Sequence, residues 1–134
     1  MRRSLIALAL FVGAGTAAAQ DDLVATGKGK FEYYRCKLCH NATDTATAVK
    51  WGPHLHNLFG RKPGSLPNFE YSEAMVTFGR DKVWNETTLA TFLHDPIGTV
   101  PDNKMEFHGI DKDEEIRALI AYLATFDPDG MVPQ

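Results

Sequence analysis

The chain has 134 residues, a length that suits one domain. Its 14 basic residues against 17 acidic ones give a formal charge of −3, which excludes the basic excess of a nucleic-acid binder. A chain of this size buries only a modest core, so a bound group that adds apolar volume would help it.

Met1-Arg2-Arg3 is a short cationic start, residues 5–12 form an unbroken apolar run, and Ala17-Ala18-Ala19 lead into Gln20-Asp21-Asp22. That order reads as a secretory signal peptide over residues 1–19, cleaved after Ala19. Residues 20–134 are then one exported domain, which places it in the periplasm. The alternative is a retained membrane anchor. Against it, the uncharged run from Ser4 to Gln20 is 17 residues and much of it is Gly, Ala and Thr. A spanning helix needs roughly 20 mostly apolar residues. Without residues 1–19 the chain keeps 12 basic and 17 acidic residues, a formal charge of −5.

Residues 22–34 read as a helix that runs into the cysteines, weakened locally by Gly27 and Gly29. The only two cysteines, Cys36 and Cys39, form with His40 the pattern Cys-x-x-Cys-His. This is the attachment signature of a c-type haem. Two cysteines three apart reach the two vinyl groups of one porphyrin and close two thioethers. His40 then lies beneath the ring, where an imidazole binds iron. A cysteine pair in an exported chain also reads as a disulfide, or as a thioredoxin-like couple. The latter wants a strand–helix–strand setting, and no stretch here alternates with a period of two. His40 decides for haem.

Residues 41–70 are rich in Gly, Pro, Asn and Thr. A loop that long in a compact domain wraps something, and a flat, mostly apolar cofactor is such a thing. A short helix follows, with Ser72 as N-cap, through about residue 78. The next starts at the N-cap Asn85, puts Leu89, Phe92 and Leu93 on one face, and stops at Pro96. In the last, Asp111 is the expected cap with Glu114 in capping-box register, and Ile116, Leu119, Ile120 and Leu123 make an apolar stripe. Asp127-Pro128 ends it. The sum is an all-α chain of three main helices, short helices and long loops, with no repeat and no second domain.

One axial position on the iron remains. The candidates are Met75, Met105, Met131 and the histidines at 54, 56, 94 and 108. Met131 lies in a Pro/Gly/Asp tail, and Met75 falls on a short helix where methionine commonly fills the core. Met105 sits in an extended segment that Pro101 holds away from helix. It lies 65 residues after His40, room for the chain to travel round a haem and return on its far face.

Three separated stretches carry a family resemblance. Residues 51–62, Trp-Gly-Pro-His-Leu-His-Asn-Leu-Phe-Gly-Arg-Lys, resemble the Gly-Pro-x-Leu-His-x-Leu-x-Gly-Arg stretch of the soluble class I cytochromes c, mitochondrial and bacterial periplasmic. Residues 104–110 resemble their methionine loop, and residues 119–123 their last helix. Together with the cysteine motif the resemblance covers residues 29–123. It implies the single-haem cytochrome c fold, with loops wrapped round one covalently attached haem c, and Met105 as sixth ligand opposite His40. It further implies that the Pro53 carbonyl accepts the His40 ring N–H, and that Arg61, Tyr71 and Trp84 surround the inner haem propionate. Gly29 and an aromatic of the first helix, Tyr33, would cross the last helix near Leu119 and Tyr122. Several residues depart from the family pattern. Phe92 replaces a tyrosine, Met75 an asparagine and Asn103 a threonine, Glu106 and His108 flank the methionine, and Ile97-Gly98 replace two lysines.

An iron with both axial places filled favours outer-sphere electron transfer over catalysis, and His/Met ligation raises its potential. The expected function is a monomeric periplasmic single-electron carrier, not an enzyme. It would dock transiently on membrane redox complexes, taking electrons from a quinol-oxidising cytochrome complex to an oxidase or a photosynthetic reaction centre. The alternatives are a dedicated acceptor for one periplasmic dehydrogenase, and a haem sensor or enzyme from which Met105 departs.

Overall fold

The computed structural model describes residues 15–43 and 50–127, so the apolar run at 5–12 and Met131 lie outside the described residues. Among these there are six helices and no strand. They are α1 (Gly15–Tyr33), α2 (Cys36–Cys39), α3 (Glu73–Phe78), α4 (Glu86–His94), α5 (Pro96–Thr99) and α6 (Asp113–Ala124). Three longer helices, three short ones and long connections agree with the expected cytochrome c architecture.

The sequence signals for the starts of α3 and α4 hold. Ser72 caps α3 by accepting the Met75 N–H at 3.2 Å, and Asn85 caps α4 by accepting the Thr88 N–H at 2.8 Å. Pro96 does more than stop α4. It opens α5, where its fixed φ suits the first turn, and the Asp95 side chain caps that turn by accepting the Gly98 N–H at 2.8 Å. At α6 the expected cap is corrected. The N-cap is Lys112 and no side chain caps it. Asp113, Glu114 and Glu115 fill the first turn instead, where carboxylates face the positive end of the helix dipole.

α1 begins earlier than its apolar pattern, at Gly15, so the cleavage point expected after Ala19 falls within it. Its early residues are exposed and rest on the helix propensity of alanine rather than on packing. The residues that cross α6 are also corrected. Gly27 makes the close approach: a Cβ there would lie 1.8 Å from the Ala118 carbonyl oxygen. Phe31, one turn on, packs against Tyr122 with ring centroids 5.6 Å apart. Gly29 would meet nothing within 4 Å, and Tyr33 is 73% exposed. Gly27 and Phe31, four residues apart, share the side of α1 that meets α6, whereas Gly29 and Tyr33 fall on its exposed side.

Ile116, Ala118, Leu119, Ile120 and Leu123 of α6 are buried, along with Leu89, Phe92 and Leu93 of α4. Met75 and Trp84 join the same core. Residues 50–70 carry no helix and are held as a wrap. The Leu55 N–H donates to the Asn41 carbonyl at 2.7 Å, and the Asn57 N–H to the Phe126 carbonyl at 3.2 Å.

Candidate functional site

α2 is one turn long and carries Cys36 and Cys39 at its two ends, not joined in a disulfide. Burial pushes the Cys36 thiol up to about 11. Among the described residues no strand flanks this turn, whereas a thioredoxin-like couple sits in a strand–helix–strand setting.

His40 caps the C-terminus of α2, its N–H donating to the Cys36 carbonyl at 2.8 Å. Its ring Nδ1 lies 2.7 Å from the Pro53 carbonyl oxygen. A carbonyl only accepts, so Nδ1 carries the proton and Nε2 is the nitrogen with a free lone pair. Burial lowers the imidazole pKa, favouring the neutral form that ligates metals. The chain on either side of Trp51 is strapped to this turn. The Gly52 N–H donates to the Cys39 carbonyl at 2.8 Å, and the Lys50 ammonium donates to the carbonyls of Lys37 and His40. Gly52 permits this closeness, since a Cβ would stand 2.5 Å from His40 Cε1.

Met105 is half-buried and packs against the core in the company of Leu55, Phe59, Tyr71, Phe78 and Phe107. These half-covered apolar side chains are what a flat apolar group would finish covering. Both backbone polar groups of Met105 are bonded. Its N–H donates to Asn103 Oδ1 at 2.8 Å, and its carbonyl accepts the Phe107 N–H at 2.9 Å. Asn103 Nδ2 in turn donates to the carbonyls of Pro96 and Val100, both at 2.9 Å. The other candidate ligands are placed differently. Met75 is core. His94 also turns Nδ1 to a carbonyl, that of Ile110 at 3.0 Å, but it is exposed and has no cysteine beside it, and His54 and His56 stack on each other with centroids 3.8 Å apart.

Arg61 and Trp84 are brought together by two backbone bonds, Trp84 N–H to the Arg61 carbonyl at 2.9 Å and Gly60 N–H to the Trp84 carbonyl at 2.8 Å. The Arg61 guanidinium donates to the carbonyls of His54 at 2.9 Å and His56 at 3.3 Å. The Tyr71 hydroxyl is raised by burial, an effect that the nearby Arg61 charge opposes. Two of the guanidinium's donors therefore hold the 54–56 loop, and its charge acts on both Tyr71 and the Asp127 carboxylate.

As a departure from the family's threonine, Asn103 leaves the firmness of the Met105 bond in question from sequence, whereas its side chain bonds the Met105 backbone directly. A signal was present, because asparagine in a turn commonly bonds the backbone two residues on, here Met105. Sequence reasoning passed over Trp51, which is 91% exposed beside the cysteine turn. Leu38 and Ile97 are exposed as well, at 60% and 54%.

No protein-family model matches the chain. It is 47% identical over 111 residues to the cytochrome c2 of Afifella marina, covering 82% of this chain and 87% of that protein. It is 37% identical over 106 residues to the cytochrome c-550 of Bradyrhizobium diazoefficiens, covering 79% and 76% of the two chains. The cytochrome c2 of Blastochloris viridis is 35% identical over 131 residues, 97% of this chain and 98% of that one.

Proposed function

The chain belongs to the class I c-type cytochromes, electron carriers rather than enzymes, and from that premise we propose that it carries single electrons in the periplasm through one haem c bound at Cys36, Cys39, His40 and Met105. The observation that carries this reading is the His40–Pro53 bond at 2.7 Å. It turns one ring nitrogen to a carbonyl and leaves the other for a metal, immediately after two cysteines with no disulfide between them.

The donor set fits the group in its chemistry: two thiols for thioethers, an imidazole nitrogen and a thioether sulfur. Bound there, haem c supplies a one-electron iron couple whose potential rises with thioether ligation. The chain's own residues do the rest. Pro53 sets the tautomer and orientation of His40. Asn103 fixes the backbone of Met105, which argues against the sensor reading in which that residue departs. Arg61, with Tyr71 and Trp84, would hold a haem propionate, a carboxylate that burial would otherwise penalise. Leu38 and Trp51 are exposed apolar side chains at the attachment turn, and Ile97 is an exposed one on α5, surfaces on which a partner docks briefly. The partners are a quinol-oxidising cytochrome complex as donor and an oxidase or photosynthetic reaction centre as acceptor. Export follows from the signal peptide over residues 1–19.

Intact mass of the purified protein tests attachment and processing together. It should equal residues 20–134 plus one haem, and acidified acetone should leave the haem in place. Haem released to the solvent would end the c-type site. The oxidised protein should show the weak red band of methionine-to-iron charge transfer, abolished by Met105→Ala and kept by Met75→Ala. Carbon monoxide binding to the reduced wild type at neutral pH would restore the sensor reading.

A further inference from the structure

Tyr34 stands where three parts of the fold meet. It follows α1 by one residue and precedes Cys36 by two, so its backbone runs directly into the attachment turn. Its hydroxyl donates to Glu115 Oε2 at 2.5 Å, in the first turn of α6. The other oxygen of Glu115 faces the Lys30 ammonium at 2.9 Å and that of Lys112 at 3.5 Å. The Tyr34 ring meets Phe107 edge-on, with centroids 5.7 Å apart and planes at 78°. Phe107 is the residue whose N–H donates to the Met105 carbonyl.

We propose that Tyr34, oriented by Glu115, is a positioning residue for Met105, holding through Phe107 the half of the methionine backbone that Asn103 does not hold. The inference rests on the reading of Met105 as the axial ligand. Met105 has two backbone handles. Its N–H is taken by the Asn103 side chain, which is itself anchored on two carbonyls. Its carbonyl is taken by Phe107, and the Phe107 ring has Tyr34 against it. A ring pair held edge to face has a preferred geometry, so fixing one ring restricts the other. Glu115 supplies the fixing. The Tyr34 bond is the largest cause holding its carboxyl at about 2, while burial and that same carboxylate push the Tyr34 hydroxyl up to about 12. Donor and acceptor thus keep their roles across the whole range between, as a charge-assisted hydrogen bond. The same tyrosine continues into Cys36, so one side chain relates the covalent attachment of the haem to the ligand on its other face.

The holoprotein tests this, using the red methionine band of the oxidised form followed upward in pH. Tyr34→Phe keeps the ring beside Phe107 and loses the bond to Glu115. The band should disappear about one pH unit lower than in wild type, about a tenfold shift in the equilibrium between bound and released methionine. Glu115→Ala should do at least as much, and the double variant should be no worse than Glu115→Ala alone, because the Tyr34 bond is already lost there. The reduced Tyr34→Phe protein should also bind carbon monoxide measurably where wild type does not. If Tyr34→Phe lowers the thermal midpoint but leaves the band's pH midpoint and carbon monoxide binding unchanged, Tyr34 only ties α1 to α6 and the inference is overturned. Should Glu115→Ala yield no holoprotein, Tyr34→Phe alone decides. A wild type without the band overturns Met105 ligation and this inference with it, whereas a wild-type band indifferent to Tyr34 overturns this inference alone.

Discussion

Asn103 and Met105 are joined by a single 2.8 Å hydrogen bond from the Met105 N–H to Asn103 Oδ1, and the same side chain donates to the carbonyls of Pro96 and Val100. A side chain that closes three backbone bonds across a turn fixes that turn better than a shorter hydroxyl could. Asn103→Ala leaves the Met105 N–H and two carbonyls to find other partners, which costs roughly 2 kcal/mol by the usual value for unmade bonds of half-buried groups. The expected outcome is a lower denaturant midpoint and a weaker red band at neutral pH. A band of full strength in Asn103→Ala would show that the haem itself, and not this side chain, places the methionine.

The crossing of α1 and α6 gives a paired prediction. Gly27→Ala puts a Cβ 1.8 Å from the Ala118 carbonyl oxygen, while Gly29→Ala puts one in open space. Forcing a methyl into a closed contact costs about 1–3 kcal/mol. At an exposed helical glycine the same change gains a few tenths to about 1 kcal/mol from propensity. Thermal melts of the two variants should therefore move in opposite directions. Equal destabilisation would return the crossing to Gly29.

The carboxyl of Glu115 is depressed from 4.5 to about 2, first by the Tyr34 hydroxyl and then by Lys30. A depressed carboxylate stabilises the fold fully above its unfolded value and loses that contribution as pH falls through the folded one. The stability difference between wild type and Glu115→Gln should thus be constant at neutral pH and shrink between 4.5 and about 2. Urea midpoints across that range measure it. A difference that persists undiminished at the acid end would mean that packing, not charge, makes the contribution.

Three lysines around the attachment turn and Met105 are engaged. Lys104 is paired with Glu70 at 3.0 Å and Lys37 with Glu32 at 3.6 Å, while Lys50 is bonded to the attachment turn. Charge chiefly sets the encounter rate of transient complexes, and these three charges are already engaged. The second-order oxidation rate with membranes of the source organism should depend only shallowly on ionic strength. Lys104→Glu should cost little, and Trp51→Ala or Ile97→Glu several times more, as aromatic and apolar anchors do at interface centres. A steep fall with salt and a large loss on reversing Lys37 or Lys104 would favour a ring of lysines instead.

Much of this was readable in the sequence because it rests on local rules. The cysteine–histidine spacing, the caps at Ser72 and Asn85 and the buried face of α4 each depend on neighbours a few residues away. The errors came where a distant fact intervened. The crossing falls at Gly27 and Phe31 rather than Gly29 and Tyr33, because the covered side of α1 is set by α6 at the other end of the chain. Glu115 in the first turn of α6 is engaged by Lys30 and Tyr34 from the other end of the chain, and no residue near Asp111 announces that. The Arg61–Trp84 pairing was reached through family resemblance, because two loop segments 23 residues apart carry no pattern of their own.

The helices in most extensive contact, α1 and α6, are the first and last in the fold, and Lys30 meets Glu115 across a separation of 85 residues. Closing so long a loop gives no return until both ends exist, which makes such contacts late ones in folding. A chain is made from its N-terminus, so α1 has no α6 to cross until nearly all of it has been synthesised. During that interval Gly27 has no Ala118 to press against and Glu115 has not yet joined Tyr34. The turn bearing Cys36 and Cys39 is complete in sequence long before the last helix can close beside it. The crossing of the two end helices is thus a late step, and it closes the fold beside the turn bearing Cys36 and Cys39.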